Sequence, residues 1–290
     1  MNVTEEKAYA KLNISLDVTA KRPDGYHDML MVMQTVTLCD SVLVELNSSG
    51  MSSAYSNLRF IPGDERNLAV RAALKFFEAA GMDGAGAKIT LDKHIPVGAG
   101  MAGGSSDAAA VLRALNRLCG GRFSCAELES IAADIGSDVA FCVAGGTALA
   151  KGRGEKLTVL PPLPECSIVI CKPEFSISTP ELFRKLDAIK LRCHPDTAGI
   201  CAALGESRLE AVARRMYNVF EDIPDRRMAT VAAIKSRMLD CGALGSVMTG
   251  TGSAVFGIFP SRPGGERARE QLGREYKSCF LTEAKNRISV

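Results

Sequence analysis

The chain has 290 residues, 47% of them apolar and 23% charged, enough for one large domain or two modest ones of ordinary globular composition. Its 35 basic and 33 acidic residues are scattered without a run of like charge, which argues against a dedicated nucleic-acid or membrane-surface protein and leaves room for a local basic pocket. Ten cysteines without a CxxC pair read as reduced thiols, His27, His94 and His194 form no metal-ligand spacing, and no apolar run approaches the roughly 20 residues of a membrane span.

The chain opens on MNVTEEKAYAK, acidic where a secretory leader would be basic, so the expected compartment is the cytoplasm. From Ala8 to Val18 apolar residues alternate with Tyr9, Lys11, Asn13, Ser15 and Asp17, the pattern of a half-buried strand with Lys11 and Asn13 on one face. KRPDGYH supplies turn formers, and Met29 to Leu38 and Ser41 to Leu46 then read as two strands of a hairpin or meander. A helix is predicted from about Asn67 to Ala80, closed by Gly81, and a strand from Ala87 to Asp92. A glycine-rich loop, Gly98 to Gly104, leads into a helix with an apolar stripe ending near Leu118. Ser124 and Glu127 form a capping box for another helix, and a strand is expected over Gly146 to Ala150. The stretch Leu160 to Glu165, with PPLP inside it, marks a boundary between an N-terminal domain over 1–160 and a C-terminal domain over 161–290. Beyond it come a strand at Ser167 to Lys172 and a helix opened by Thr179 and Pro180, then helices near Glu210 and Val231. A strand at Ala254 to Phe259, a helix at Glu266 to Leu272 and a strand at Cys279 to Thr282 complete the pattern.

The segment IPVGAGMAGGSSDAA, Ile95 to Ala109, carries the most chemical information. Gly98, Gly100, Gly103 and Gly104 let the backbone approach a ligand, and the following helix offers unpaired N–H groups and the positive end of its dipole. Ser105 and Ser106 can cap that helix, donate to phosphate oxygens or hold a magnesium ion between phosphates. A flexible loop before a serine-capped helix would look the same. A dinucleotide fold is the weaker option, because the chain enters a second helix where an acidic strand end is required, and no Gly-Lys dipeptide exists for a Walker A loop.

The loop resembles the PxxxGLGSSAA motif of the GHMP kinases in a glycine-expanded form, with Met101 and Ala102 in place of the usual Leu-Gly. AKLNISLDVTAKRPDGYH near the N-terminus is similar to the family's first motif, and LGSVMTGTGSAVFGIF near the C-terminus to its third. Between them GSDVAFCVAGGTALAKGRGE resembles the stretch with the catalytic aspartate, here Asp138, with Ala140 where a proline is common. The resemblance implies a two-domain α/β (α+β) GHMP kinase fold, the first domain ribosomal-protein-S5-domain-2-like and the second ferredoxin-like. It implies an ATP-dependent kinase with Mg²⁺, a small-molecule acceptor, no nucleic-acid or membrane partner, and a monomer or weak homodimer.

By the same carry-over Lys11 and Asp138 are catalytic: the aspartate takes or orients the hydroxyl proton, and the lysine offsets phosphoryl charge. Pro96, Gly98, Gly100, Met101, Ala102, Gly103, Gly104, Ser105 and Ser106 would cradle the ATP phosphates, with Asn67 and Lys93 flanking adenine. The KRPDGYH form points to a branch whose acceptor is a cytidine-diphosphate-linked methylerythritol. Tyr26 would stack on cytosine with Phe183 on its opposite face, and His27 would bond the base edge. Asn13 and Thr179 would hold the tetritol end, and Gly250 and Gly252 would close on it. Read alone, Asp138 is equally a helix cap, Lys11 a solvated strand residue and Phe183 ordinary core. A GHMP kinase for another hydroxyl substrate and a non-catalytic nucleotide-binding module stay open.

Overall fold

The computed structural model describes residues 2–290. Along the first half run β1 (Val3–Lys21), β2 (His27–Asn47), β3 (Ser53–Ser56), α1 (Leu68–Ala80), β4 (Gly86–Asp92), α2 (Gly103–Leu118), α3 (Cys125–Ala133), α4 (Ser137–Ala144), β5 (Thr147–Gly152) and β6 (Lys156–Val159). The second half holds β7 (Ser167–Lys172), α5 (Thr179–Asp187), α6 (Thr197–Gly205), α7 (Leu209–Ala213), β8 (Tyr217–Asn218), α8 (Met228–Asp240), β9 (Gly245–Met248), β10 (Val255–Phe259), α9 (Arg262–Gly273) and β11 (Ser278–Glu283). The local signals act as expected at several ends. Asn67 caps α1 by accepting from the Ala69 amide, Gly81 ends it in the left-handed region, and Ser124 with Glu127 closes the capping box of α3.

The larger sheet runs β3-β4-β2-β1-β8, with β5 paired to β2 and to β6. Two expectations are corrected here. The stretch read as a hairpin within residues 29–46 is one 21-residue strand, β2, which pairs with β5 over Met29–Gln34 and with β4 over Ser41–Asn47. No turn forms at Asp40, because its carboxylate is buried and accepts from the amides of His94 and Ile95, an interaction more than fifty residues away in sequence. Nor do all the apolar residues of β1 share one face. Register shifts between Tyr9 and Lys11 and between Asn13 and Ser15 break the alternation. Ala8, Leu16 and Val18 join the core beneath the helices of the first half, whereas Ala10, Leu12 and Ile14 join the core shared with the second sheet. Such bulges re-aim side chains, and these two point Lys11 and Asn13 away from the shared core.

The smaller sheet is antiparallel in the order β11-β7-β10-β9. Counting its strands in chain order, that is 4-1-3-2, the split β-α-β arrangement of a ferredoxin-like unit with α8 and α9 as the crossovers. Ile168, Ile170, Val247, Phe256 and Ile258 face Leu12, Ile14, Val32 and Val36 across the junction. The halves are also laced together by backbone: β8 pairs in parallel with β1, and the Lys285 and Ile288 amides donate to the carbonyls of Thr35 and Ala144. Among the described residues no helix is long and apolar enough to cross a membrane.

Candidate active site

The glycine-rich loop is fixed from beneath. The Lys11 amide donates to the Met101 carbonyl at 3.2 Å and the Ala254 amide to the Ala99 carbonyl at 3.2 Å, with the Met101 side chain buried. Gly98 and Gly100 take φ of +65° and +76°, and Ala102, the N-cap of α2, takes +56°. The amides of Gly103, Gly104 and Ser105 in the first turn of α2 have no carbonyl within the helix to bond, and they carry the positive end of its dipole. The Ser106 amide already bonds the Ala102 carbonyl, and the Ser106 hydroxyl donates to the carbonyl of Tyr9. Ser106 thus ties helix to strand, while Ser105 faces the cavities on both sides of the loop.

A second glycine turn abuts the first. Gly250 and Gly252 have φ of +56° and +84°. A Cβ on Gly100 would lie 2.2 Å from the Thr249 carbonyl oxygen, and one on Gly250 would lie 2.7 Å from that of Gly100, so both positions require glycine. Asn218 holds this turn by donating to the Met248 and Gly250 carbonyls at 2.7 and 2.8 Å. The Thr249 hydroxyl accepts from the Asn13 amide at 3.0 Å, which joins the turn to β1. Asn218 was not foreseen from the sequence. Its one local partner is the Phe220 amide, and the carbonyls it holds lie about thirty residues away.

Lys11 is buried, with a side chain 5% exposed; its Nζ lies 3.7 Å from Asp138 Oδ2 and donates to Asn13 Oδ1 at 2.6 Å. Asp138 stands in the first turn of α4, where a helix dipole favours an anion, and keeps a third of its side chain open to the cleft. Asn13 itself is fully buried and serves as the bracket between Lys11, Thr249 and Met31. One turn beyond Asp138, burial and then the Asp138 charge push the Cys142 thiol up to about 12, so no thiolate competes as a nucleophile there.

Two cavities meet at the loop. The smaller, about 390 Å³, is lined by Asn67, Lys93, Pro96 and the backbone from Gly98 to Ser105. The larger, about 780 Å³, holds Lys11, Tyr26, His27, Asp138, Thr179, Phe183, Gly250 and Gly252. Gly98, Gly100, Ala102 and Ser105 line both. Within the smaller cavity the Asn67 side chain is engaged as the α1 cap and with the Pro62 carbonyl. The Lys93 ammonium is buried between Asp40 and Asp107, 2.6 Å from the latter. With one ammonium for two carboxylates, burial raises Asp107 to about 7 despite the opposing pull of Lys93, and the charge of Asp40 adds to the rise.

At the far end of the larger cavity Tyr26, His27 and Phe183 come together. His27 stacks on Phe183, centroids 4.6 Å apart and planes at 24°, and Phe183 meets the edge of Phe220 at 5.0 Å. Tyr26 is 55% exposed, with the Arg153 guanidinium 4.1 Å from its ring centroid. His27 Nε2 lies 2.7 Å from Asp187 Oδ1, and Lys21 Nζ lies 2.6 Å from Asp187 Oδ2. The Thr179 and Thr251 hydroxyls, 2.8 Å apart, tie the start of α5 to the second glycine turn. Arg153 and Asp187 escaped the sequence reading, although Asp187 falls one helical turn after Phe183. The other face of α5 is anchored through Glu181 and Lys185 to Arg227 and Asp225. Arg227 and then Lys185 hold the Asp225 carboxylate far below its ordinary range, against the opposing effect of burial.

Known proteins resemble the chain over nearly its whole length. The family model of the GHMP kinases N terminal domain matches residues 67–146 and that of the GHMP kinases C terminal matches residues 200–278. A 4-diphosphocytidyl-2-C-methyl-D-erythritol kinase of Clostridium botulinum (strain Loch Maree / Type A3) is 41% identical over 276 residues, 95% of this chain and 98% of its own length. A crystal structure of 4-(cytidine 5'-diphospho)-2C-methyl-D-erythritol kinase superposes with a TM-score of 0.81 at 33% identity, covering 98% of this chain and all of that one. A homoserine kinase from Cytophaga hutchinsonii, 18% identical with a TM-score of 0.78 over 99% of this chain and 96% of its own, shares the fold. Matched in both halves and along nearly its whole length, the chain belongs to the GHMP kinases.

Proposed function

We infer that the chain transfers the γ-phosphoryl group of ATP to a hydroxyl, that at the 2-position, of 4-diphosphocytidyl-2-C-methyl-D-erythritol. The relatives that match almost all of its length bear the name of that kinase, whereas the homoserine kinase resembles it only in fold. The observation that carries the reading is the pair of cavities sharing the wall from Gly98 to Ser105, with Lys11 and Asp138 on the acceptor side. The nucleotide would sit in the smaller cavity on the N-terminal domain (1–160), its phosphates on the Gly103 to Ser105 amides. The acceptor would lie in the larger cleft, its cytosine near Tyr26 and His27 and its tetritol near Asp138, with the C-terminal domain (161–290) supplying Thr179, Phe183, Gly250 and Gly252.

Phosphoryl transfer needs alignment and charge compensation more than covalent help. The acceptor oxygen attacks phosphorus, the bond to the β-phosphate oxygen breaks, and Asp138 takes the hydroxyl proton while Lys11 offsets the charge that spreads over the phosphoryl oxygens. Among the described residues no cluster of three His, Cys, Asp or Glu side chains is placed to hold a metal alone. The oxygen donors facing the cleft, the Ser105 hydroxyl and the Asp138 carboxylate, suit a magnesium ion carried mainly by nucleotide phosphates, which would supply charge neutralisation. The proposed reaction is a cytoplasmic one, carried out by a monomer or weak homodimer.

Radiolabel transfer from ATP to a panel of hydroxyl acceptors tests the reading, with the cytidine-diphosphate-linked tetritol expected to dominate. Asp138→Asn is expected to lower transfer by about 10²- to 10⁴-fold with ATP affinity unchanged. A panel in which homoserine or mevalonate is preferred would sink the acceptor, and transfer at the wild-type rate in the variant would remove Asp138 from the mechanism.

A further inference from the structure

The carboxylate of Asp187 takes no part in the transfer just described, yet it is the hydrogen-bonding partner of the side chain expected to read the base. Phe183 and Asp187, four residues apart on one face of α5, grip His27 at two points: the phenyl ring lies against the imidazole face, and the carboxylate meets Nε2 at 2.7 Å. The carboxylate is itself fixed, since Lys21 Nζ sits 2.6 Å from its other oxygen, and Lys21 and then His27 hold it below the ordinary carboxylate range. The imidazole side chain is only 8% exposed, so it has little freedom to turn.

An ionised carboxylate only accepts hydrogen bonds, so the ring nitrogen facing it carries the proton. In a neutral imidazole the other nitrogen, Nδ1, is then left with a lone pair. Pyrimidines differ at two adjacent positions of the pairing edge: cytosine presents an exocyclic amine donor beside a ring-nitrogen acceptor, and a uracil-type base presents a carbonyl acceptor beside a ring N–H donor; the exocyclic position is the one at issue here. A lone pair on Nδ1 matches the amine and opposes the carbonyl. A ring free to exchange tautomers would serve both bases.

We propose that Asp187 is a specificity-determining positioning residue: by holding His27 in the Nε2–H form it leaves Nδ1 to accept from the exocyclic amine of a cytosine-type base, and so excludes uracil-type acceptors. The proposal rests on the cytidine-linked acceptor inferred above and names what selects it.

The test compares kcat/KM for the cytidine-diphosphate-linked acceptor and its uridine-diphosphate-linked analogue in wild type, Asp187→Ala, Asp187→Asn and Asp187→Glu. Failure of the wild type to turn over the cytidine compound overturns the acceptor reading, and this proposal with it. With an active wild type, a preference for cytidine of about 100-fold or more is expected, because the wrong base leaves buried polar groups opposed. Alanine and asparagine are expected to reduce that ratio at least about tenfold, through KM for the cytidine compound, with the KM for ATP within about twofold; glutamate is expected to restore it. Nitrogen NMR of the wild-type protein at about pH 8.5 provides a reading independent of any variant's folding. With three histidines in the chain, His27→Gln assigns the signal, which is expected to report an Nε2–H ring. An Nδ1–H ring in the wild type, or variants that lose the two acceptors in equal proportion, would overturn the proposal.

Discussion

Substituting Gly100 with alanine puts the contact between the two glycine turns under direct test. The added Cβ would stand 2.2 Å from the Thr249 carbonyl oxygen and 3.1 Å from the Gly252 nitrogen, against ordinary contacts of 3.4 Å or more, so the turns must part by about 1.2 Å. Both contacted atoms are backbone, and the turn is pinned by Asn218 and by Asn13, so no flexible side chain can absorb the shift. Overpacking of this kind costs about 1–3 kcal/mol, and a left-handed φ about 1 kcal/mol more for alanine, giving a loss of about 2–4 kcal/mol in stability. Displacing reacting groups by about 1 Å lowers turnover on the order of 100-fold. Denaturant unfolding measures the first quantity and ADP release in the presence of acceptor the second. Gly273→Ala is the matched control: apart from its chain neighbours and its own helix backbone no atom lies within 4 Å of its would-be Cβ, and it closes α9, away from the cleft residues. It is expected to change stability by less than about 1 kcal/mol and leave turnover alone. A Gly100→Ala protein as stable and as active as wild type would refute the account of two backbones in contact.

Asn218→Ala leaves two buried carbonyls without their donor and the Phe220 amide without its acceptor, and is expected to cost about 2–4 kcal/mol in urea unfolding, with transfer falling more than ATP affinity; unchanged unfolding would mean the turn holds without it. Asp107 has a carboxyl raised in the fold to about 7 from an unfolded value near about 4, so the folded state binds the extra proton between those values. Its stabilising contribution is complete below about pH 4 and is lost as pH rises through about 7. Asp107→Asn removes that loss, so the variant's melting temperature is expected to gain on wild type from about pH 4 to about pH 7 and to stay level above, and a difference that shrinks over that window contradicts the sign.

The sequence by itself determined what depends on neighbours in the chain. The apolar stripe of α2, the cap at Asn67, the capping box at Ser124, the glycine turns at Gly98 to Gly104 and Gly250 to Gly252, and most strands of both sheets were legible because the residues that make them lie within a few positions of one another. The resemblance to the family implied one cleft for Lys11, Asp138, Tyr26, His27, Thr179 and Phe183, and they line one cavity. What only the tertiary structure decided has partners far off in sequence. Asp40, in the gap between the two expected strands, is buried and accepts from the amides of residues 94 and 95, and β2 runs straight through it. Irregularities in the pairing of β1 with β2 flank Lys11 and Asn13, and Lys11 lies beside Asp138. His27 finds Asp187 across 160 residues and stacks on Phe183. Periodicity reports which side of an element is buried but not what lies against it, and the chemistry of this cleft resides in those distant contacts.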